Sequence, residues 1–138
     1  MADDGSLALQ AALIARLRAD ADLAALVFGR VYDEPPKDVA FPYVRLGAEV
    51  LGTERIGCFA DDDIAFSIEC HSRPVAGRVE AKRLAAAVRA SLDDADIALG
   101  SGKHLDWIEH LTTSYSRAAD GVSWIAVVAF EAAVADAD

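Results

Sequence analysis

Residues 22–47 read Asp-Leu-Ala-Ala-Leu-Val-Phe-Gly-Arg-Val-Tyr-Asp-Glu-Pro-Pro-Lys-Asp-Val-Ala-Phe-Pro-Tyr-Val-Arg-Leu-Gly, and this stretch decides the fold. It begins as a helical fragment, crosses a loop that Pro35 and Pro36 stiffen, and ends in the alternating pattern of a β-strand. Pro42 has no backbone N–H, so it fits only the first residue or an edge of that strand. The stretch therefore predicts a rigid crossing from a helix into the first main strand of an α+β domain.

Two helices are predicted on the N-terminal side of this crossing. Ser6 is a suitable N-cap for the first helix, whose broad apolar arc carries Leu7, Leu9, Leu13, Ile14 and Leu17. Asp20 or Asp22 is suited to cap a second, short helix, Leu23 to Val27, that ends near Gly29.

Strands are predicted on the other side of the crossing, after a brief strand at residues 31–32. Residues 43–51 alternate, and the face expected to be buried carries Val44, Leu46, Ala48 and Val50. Residues 52–62 contain two glycines and an acidic end, so they predict a long hairpin connection. A second strand, expected to pair antiparallel with the first, buries Ile64, Phe66, Ile68 and Cys70.

The longest helix is expected to open at Ser72 and Pro74 and to run through Asp93. Its buried face is predicted to carry Ala81, Leu84, Ala85, Val88 and Leu92. Beside that face lies a basic stripe, Arg78, Lys82 and Arg89, on an otherwise acidic protein. The stripe is either an ordinary solvated helix face or the partner of an acidic surface on a neighbouring subunit.

A second pair of strands is predicted after this helix. Residues 105–111 favour a strand in which Glu109 breaks the alternation and indicates a bulge. Asp120-Gly121 is a hairpin signal, and residues 122–134 then read as a strand that is apolar on both faces. Such a strand is either central and covered on both sides, or closed on one face by another subunit.

The element order predicts one α+β domain over residues 1–138, with acidic tails at 1–5 and 135–138. We expect a single four-stranded antiparallel or mixed sheet with two main helices packed on one face, in the order helix, two strands, helix, two strands. The net charge of −10 argues against a protein that mainly grips nucleic acid. The acidic N-terminus and the lack of a long apolar run predict neither a signal peptide nor a membrane span.

Reactive groups are sparse in this sequence. Cys58 and Cys70 lack metal or disulfide spacing, so a loop thiol and a core thiol are expected. His104, Asp106 and His110 would share one face of a regular strand and form the best metal candidate, against the simpler interpretation of exposed polar residues. Residues 61–63 are all Asp, but they lack the remaining ligands of a calcium loop. The sequence predicts no catalytic residue, no cofactor and no metal.

Two groups of residues carry a resemblance to a known family. The first is Leu23-Ala24-Ala25-Leu26-Val27-x-Gly29-Arg30-Val31-Tyr32-Asp33, then Pro35 or Pro36, then Phe41-Pro42-Tyr43-Val44-x-Leu46-Gly47. The second is Ser72-Arg73, Gly77 and Glu80-Ala81-x-x-Leu84, with a helix end near Leu92-Asp93. Together they resemble the tail-completion (tail terminator) family of long-tailed phages and prophages. The chain departs from that family at Phe28, where a small residue is common, and at His71, where an aromatic such as Trp is common.

The resemblance implies a non-enzymatic protein that assembles as a hexameric ring on the head-proximal end of a finished tail tube. The ring would end tube polymerisation and present the surface for head attachment. Its partners would be further copies of itself, the tail tube protein and the head–tail connector or stopper protein, with no membrane and with a passing contact with translocated DNA left open. It would act in the bacterial host cytoplasm during assembly and then in the tail of a phage, prophage or gene transfer agent particle.

A subunit of such a ring needs different surfaces for its neighbours and its tube. The candidate assembly interface comprises Arg78, Lys82, Arg89, Ile125 and Val127. The candidate tail-facing loop comprises Thr53, Glu54, Arg55, Ile56 and Phe59. Three alternatives stay open: a head–tail connector or stopper, a small metal-dependent enzyme that uses His104, Asp106 and His110, and a lone soluble binding domain.

Overall fold

The computed structural model describes residues 3–57, 59–73 and 77–137, apart from the side chain of Ile56. Its elements are α1 (Gly5–Ala19), α2 (Ala21–Val27), β1 (Val31–Tyr32), β2 (Tyr43–Ile56), β3 (Phe59–Ser72), α3 (Val79–Leu92), β4 (Lys103–Arg117) and β5 (Trp124–Asp136). The strands form one sheet in the order β1-β2-β3-β5-β4, in which only the β1–β2 pair is parallel. The mixed sheet of the expected α+β class is confirmed, but it has five strands and three helices among the described residues rather than four and two. The additional elements, α2 and β1, are the short pieces of the stretch at residues 22–47.

The caps of the first two helices show how local side chains set their boundaries. Asp4, not the expected Ser6, is the N-cap of α1, and its carboxylate accepts a hydrogen bond from the Ser6 backbone N–H at 2.9 Å. Asp20 caps α2 as predicted and accepts from the Leu23 backbone N–H at 2.9 Å. The α2 helix ends one residue earlier than expected, because Phe28 itself adopts the left-handed conformation with φ 55°.

The expected long loop at residues 52–62 is wrong. The β2–β3 ladder continues from Gly52 opposite Asp63 to Ile56 opposite Phe59, so these residues form a two-stranded ribbon. Gly57 has a left-handed φ of 63°, and Cys58, expected as a loop thiol, lies outside the described residues. The sequence hides this ribbon because most of its side chains are exposed, and a solvated ribbon has no apolar alternation.

A β-bulge in β2 reverses the predicted faces of its second half. The register shifts between Leu46, which is opposite Ile68, and Glu49, which is opposite Phe66. Two residues of β2 therefore oppose one of β3, and every later side chain changes sides. Val50, expected to be buried with Leu46, is 69% exposed on the other face.

The longest helix starts later than predicted, at Val79, with Arg78 as its N-cap residue and no side-chain cap. Ser72 is not a cap, because it is buried at the end of β3 and donates a hydrogen bond to Glu80 Oε1 at 2.6 Å. Pro74 lies outside the described residues. The predicted buried face of the helix, from Ala81 to Leu92, is confirmed.

The last two strands pair as predicted, with two bulges in β4 rather than one. The register shifts between Leu105 and Trp107 and again between His110 and Thr112, on either side of the expected Glu109. The Asp120-Gly121 hairpin is confirmed, and Asp120 accepts hydrogen bonds from Ser123 and Arg73 that hold its pKa well below the usual range. Strand β5 begins at Trp124, two residues after the expected Val122, which is exposed.

The buried hydrophobic side chains form one cluster, shared by the helices and a single face of the sheet. On this core face β5 contributes its even-numbered residues, among them Ala126, Val128 and Phe130. The odd-numbered residues Ile125, Val127 and Ala129 point to the opposite side and are half-buried by their strand neighbours. We call this opposite side the open sheet face, because in the described residues the helices pack only on the core face.

Candidate functional site

The predicted basic stripe on α3 does not present its cations uniformly. The guanidinium of Arg78 lies 4.5 Å from the centroid of the Trp124 ring, and the Lys82 ammonium lies 5.3 Å from that of Tyr115. These cation–π contacts hold both side chains against the sheet. The stripe is therefore partly used inside the subunit.

Two further arginines of α3 are directed more freely. Arg89 approaches the carboxylate of Asp93 at 4.0 Å, and its side chain remains 58% exposed. Arg83 is exposed and takes part in none of the hydrogen bonds or ion pairs of the described residues. Sequence reasoning missed Arg83, although at 100° per residue it projects opposite the buried face of the helix.

The open sheet face has an apolar depression near its middle, lined among others by Val50, Ala65, Leu111 and Ala129. Val50 and Leu111 are 69% and 48% exposed. Ile125 and Val127, both predicted as interface residues, extend the apolar surface along β5. Exposed apolar side chains on a central strand are typical of a face that a partner covers.

Carboxylates collect on the same face next to this depression. Asp63, Glu109 and Glu131 come from three different strands, and Glu109 lies directly opposite Glu131. The charge of Asp63 raises the pKa of Glu131, and burial, a hydrogen bond to Asp63 and the charges of Glu109 and Glu54 raise it further. We call Glu54, Asp63, Glu109 and Glu131 the acidic end. No sequence pattern indicated it, because the four residues are far apart in the chain.

Two more carboxyl groups face each other near the acidic end. Burial and the neighbouring carboxyl of Asp106 raise the pKa of Asp61. Asp62, on the other side of the strand, accepts a hydrogen bond from the Gly5 backbone N–H at 2.7 Å and so fastens the start of α1. The three consecutive aspartates are therefore strand residues, and the expected solvated loop end is corrected.

The candidate tail-facing residues lie at the tip of the β2–β3 ribbon rather than in a loop. Thr53, Glu54 and Arg55 are exposed, and the ring of Phe59 is 74% exposed. The backbone of Ile56 pairs with Phe59, while its side chain lies outside the described residues. The ribbon is a paired structure with an aromatic residue near its end.

The candidate metal ligands do not come together. The bulge at Asp106 separates His104 from His110, and the nearest approach is His104 Nε2 to Asp106 Oδ1 at 3.8 Å. His110 instead donates its backbone N–H to Asp93 at 2.8 Å, and its ring Nε2 lies 2.7 Å from Thr113 Oγ1. Within residues 3–57, 59–73 and 77–137 no group of three or more His, Cys, Asp or Glu residues could hold a metal ion.

Two other reactive side chains have structural surroundings. Cys70 is fully buried as predicted, and burial raises the pKa of its thiol to about 12. The imidazole of His71 stacks on the Tyr43 ring with a centroid distance of 4.6 Å, and its Nε2 lies 2.9 Å from Glu69 Oε1. None of the helices described has the length and apolarity needed to cross a membrane.

Comparison with known proteins gives two matches along almost the whole chain. The family described as tail completion protein gp17 matches residues 11–135. A solved structure described as the virion of a native gene transfer agent (GTA) particle contains a chain that is 37% identical, with a TM-score of 0.86 over 94% of this chain and 96% of that chain. No curated protein sequence matches.

Proposed function

Because the chain belongs to the family of the tail completion protein gp17, we propose that it caps the head-proximal end of a tail tube as a ring. The cap ends tube polymerisation and forms the surface to which the head attaches. The observation that carries this proposal is the likeness to a virion chain of a gene transfer agent particle, at 37% identity over 94% of this chain. Membership of the family makes the protein a structural component of phage-type tails.

The surfaces of the subunit support an assembled state. The open sheet face combines exposed apolar side chains with clustered carboxylates, which a solvated monomer does not need. The candidate assembly interface consists of Arg78, Lys82 and Arg89 on α3 and Ile125 and Val127 on β5. Different surfaces on one subunit make heterologous contacts, and such contacts close into a ring when the rotation between copies closes. We expect a hexamer.

The ribbon tip is the candidate contact with the tube. Thr53, Glu54, Arg55, Ile56 and Phe59 lie at the end of a ribbon where β3 no longer pairs with β5. An exposed aromatic ring at such a place suits burial in a partner's pocket. The partners are therefore further copies of the chain, the tail tube protein and the connector or stopper protein, first in the host cytoplasm and then at the head–tail junction of the particle.

A head–tail stopper is the second candidate function, because it would use similar surfaces at the same junction. The two functions differ in which half of the particle holds the protein before heads and tails join. A gold-labelled chain should mark the joining end of isolated tails and be absent from isolated heads. Label on the portal vertex of heads, with unlabelled tails, would support the stopper, and label at the distal tail tip would overturn both.

A further inference from the structure

The outward face of α3 and the open sheet face lie on opposite sides of the subunit. The buried side of α3 packs on the core face of the sheet, so its exposed side points away from the sheet. This outward face carries small and basic residues, namely Val79, Lys82, Arg83, Ala86, Arg89 and Ala90. Alanines on a helix surface allow a close approach to a flat partner, and the arginines supply charge.

The acidic end of the open sheet face lacks a cationic partner within the described residues. Glu109 and Glu131 are directly opposite each other, and like charges at opposed positions of a sheet destabilise it. Asp63 Oδ1 is buried and has no hydrogen-bond partner in the described part of the chain. A buried carboxylate oxygen without a partner is costly, so a guanidinium at this place would relieve two unfavourable terms at once.

We propose that the outward face of α3 from a second copy covers the open sheet face in the assembled ring. The alanines of α3 then lie over the apolar depression, and Arg83 and Arg89 reach the acidic end. This contact rests on the proposed ring function and names the two surfaces that build the ring. It also gives a role to Ile125 and Val127, which the packing inside one subunit leaves partly uncovered.

Charge and geometry favour a second copy over other occupants. Phosphate groups of nucleic acid would be repelled by the carboxylates of the acidic end. The complementary cations and small residues are present on this same chain, on the side opposite the acidic end. A surface and its complement on opposite sides of one subunit join copies head to tail, which is the contact that rings require.

The covering surface can be identified by crosslinking in the particle itself. A photoreactive amino acid replaces Val127 in a deletion strain complemented with the variant, and purified tails are irradiated and analysed by mass spectrometry. We expect crosslinks from position 127 to residues 79–90 of a second copy. Crosslinks to the tail tube protein, to another segment of a second copy, or to no protein would overturn the proposal. Ser114, which lies opposite Val127 on β4, is a second position if the first variant yields no tails.

Charge exchange tests the acidic end independently. Reversing Arg83 and Arg89 to Glu should lower incorporation into tails by about tenfold or more, because like charges then meet. Reversing Glu109 and Glu131 to Lys should do the same, and combining both sets should restore incorporation to within about threefold of the wild type. A combined variant as defective as either parent would contradict the contact. If the deletion strain itself makes normal tails, the proposed function fails, whereas abnormal tails without rescue overturn only this contact.

Discussion

The carboxyl groups of Asp63 on β3 and Glu131 on β5 are neighbours on the open sheet face, and the charge of Asp63 is the main cause of the raised pKa of Glu131. Glu109 and Glu54 add to this effect from β4 and β2. All four strands that meet at this place contribute a carboxylate. The subunit alone therefore carries an electrostatic cost at the surface that we assign to assembly.

Replacing Glu131 with Gln should raise the free energy of unfolding at neutral pH by about 0.5–1 kcal/mol, since repulsion between opposed like charges is of that order. The folded state holds the Glu131 proton more tightly than the unfolded chain, because its pKa is raised above 4.5. Repulsion is therefore relieved as pH falls, and the difference between variant and wild type should shrink towards pH 4.5. Urea unfolding across this pH range measures both effects. The control is Glu34→Gln at an exposed loop position, and an equal effect of both substitutions would contradict the account.

Gly5→Ala should destabilise the protein by about 1–3 kcal/mol, although alanine is the better helix former. A Cβ at Gly5 would lie 2.6 Å from Val134 Cγ1 and 2.9 Å from Asp62 Oδ2. The start of α1 would have to move off β5 and weaken its hydrogen bond to Asp62. Gly100→Ala is the matched control, because nothing lies within 4 Å of its added Cβ. Urea midpoints that rise for Gly5→Ala would show that α1 does not approach the sheet as described.

Phe28→Gly should keep or raise stability, by up to about 1 kcal/mol, because a left-handed backbone is costly for any residue with a side chain. The Phe28 ring is 73% exposed, so little packing is lost. Ala25→Gly, in the interior of α2, should instead cost about 1 kcal/mol. Thermal unfolding of the two variants should therefore show shifts of opposite sign. A loss of stability in both would contradict the left-handed conformation at Phe28.

Cys70 should not react with alkylating reagents while the protein is folded. With its pKa raised to about 12, about one thiol in ten thousand is ionised at pH 8, and the side chain is also buried. The measurement uses a Cys58→Ser background, so that Cys70 is the remaining thiol. We expect labelling only after unfolding in urea, and rapid labelling without urea would contradict the buried position.

The local parts of this fold follow from the sequence. Leu9, Leu13 and Leu17 recur at helical spacing and are buried, and Asp20 caps α2 because a carboxylate there satisfies a free backbone N–H. The alternation of β3 and the two apolar faces of β5 also predict their burial correctly. Each of these signals lies within a few residues of the feature that it predicts.

The remaining features depend on contacts between distant segments. The bulge after Leu46 inverts the faces of β2, and no periodicity within β2 indicates where it occurs. The ribbon beyond Gly52 is held by backbone pairing, which a solvated polar sequence does not reveal. The acidic end arises only when four strands meet, and Arg83 became a candidate only when the aromatic partners of Arg78 and Lys82 were visible.

The metal hypothesis makes a separate, inexpensive prediction. The bulge at Asp106 keeps His104 and His110 apart, so the purified protein should contain far less than one zinc ion per chain. Elemental analysis after dialysis against zinc and then against buffer checks this. Zinc that stays bound in a one-to-one ratio, and is lost in a His104→Ala variant, would contradict the described geometry.

The length of tails from a strain that lacks this chain tests the central claim most directly. Tubes without a terminator should continue to polymerise, so electron microscopy should show tails that are longer than wild type, variable in length and not joined to heads. Complementation with the wild-type chain should restore a single tail length and joined particles. Tails of normal, uniform length that are joined to heads in the absence of the chain would contradict the account.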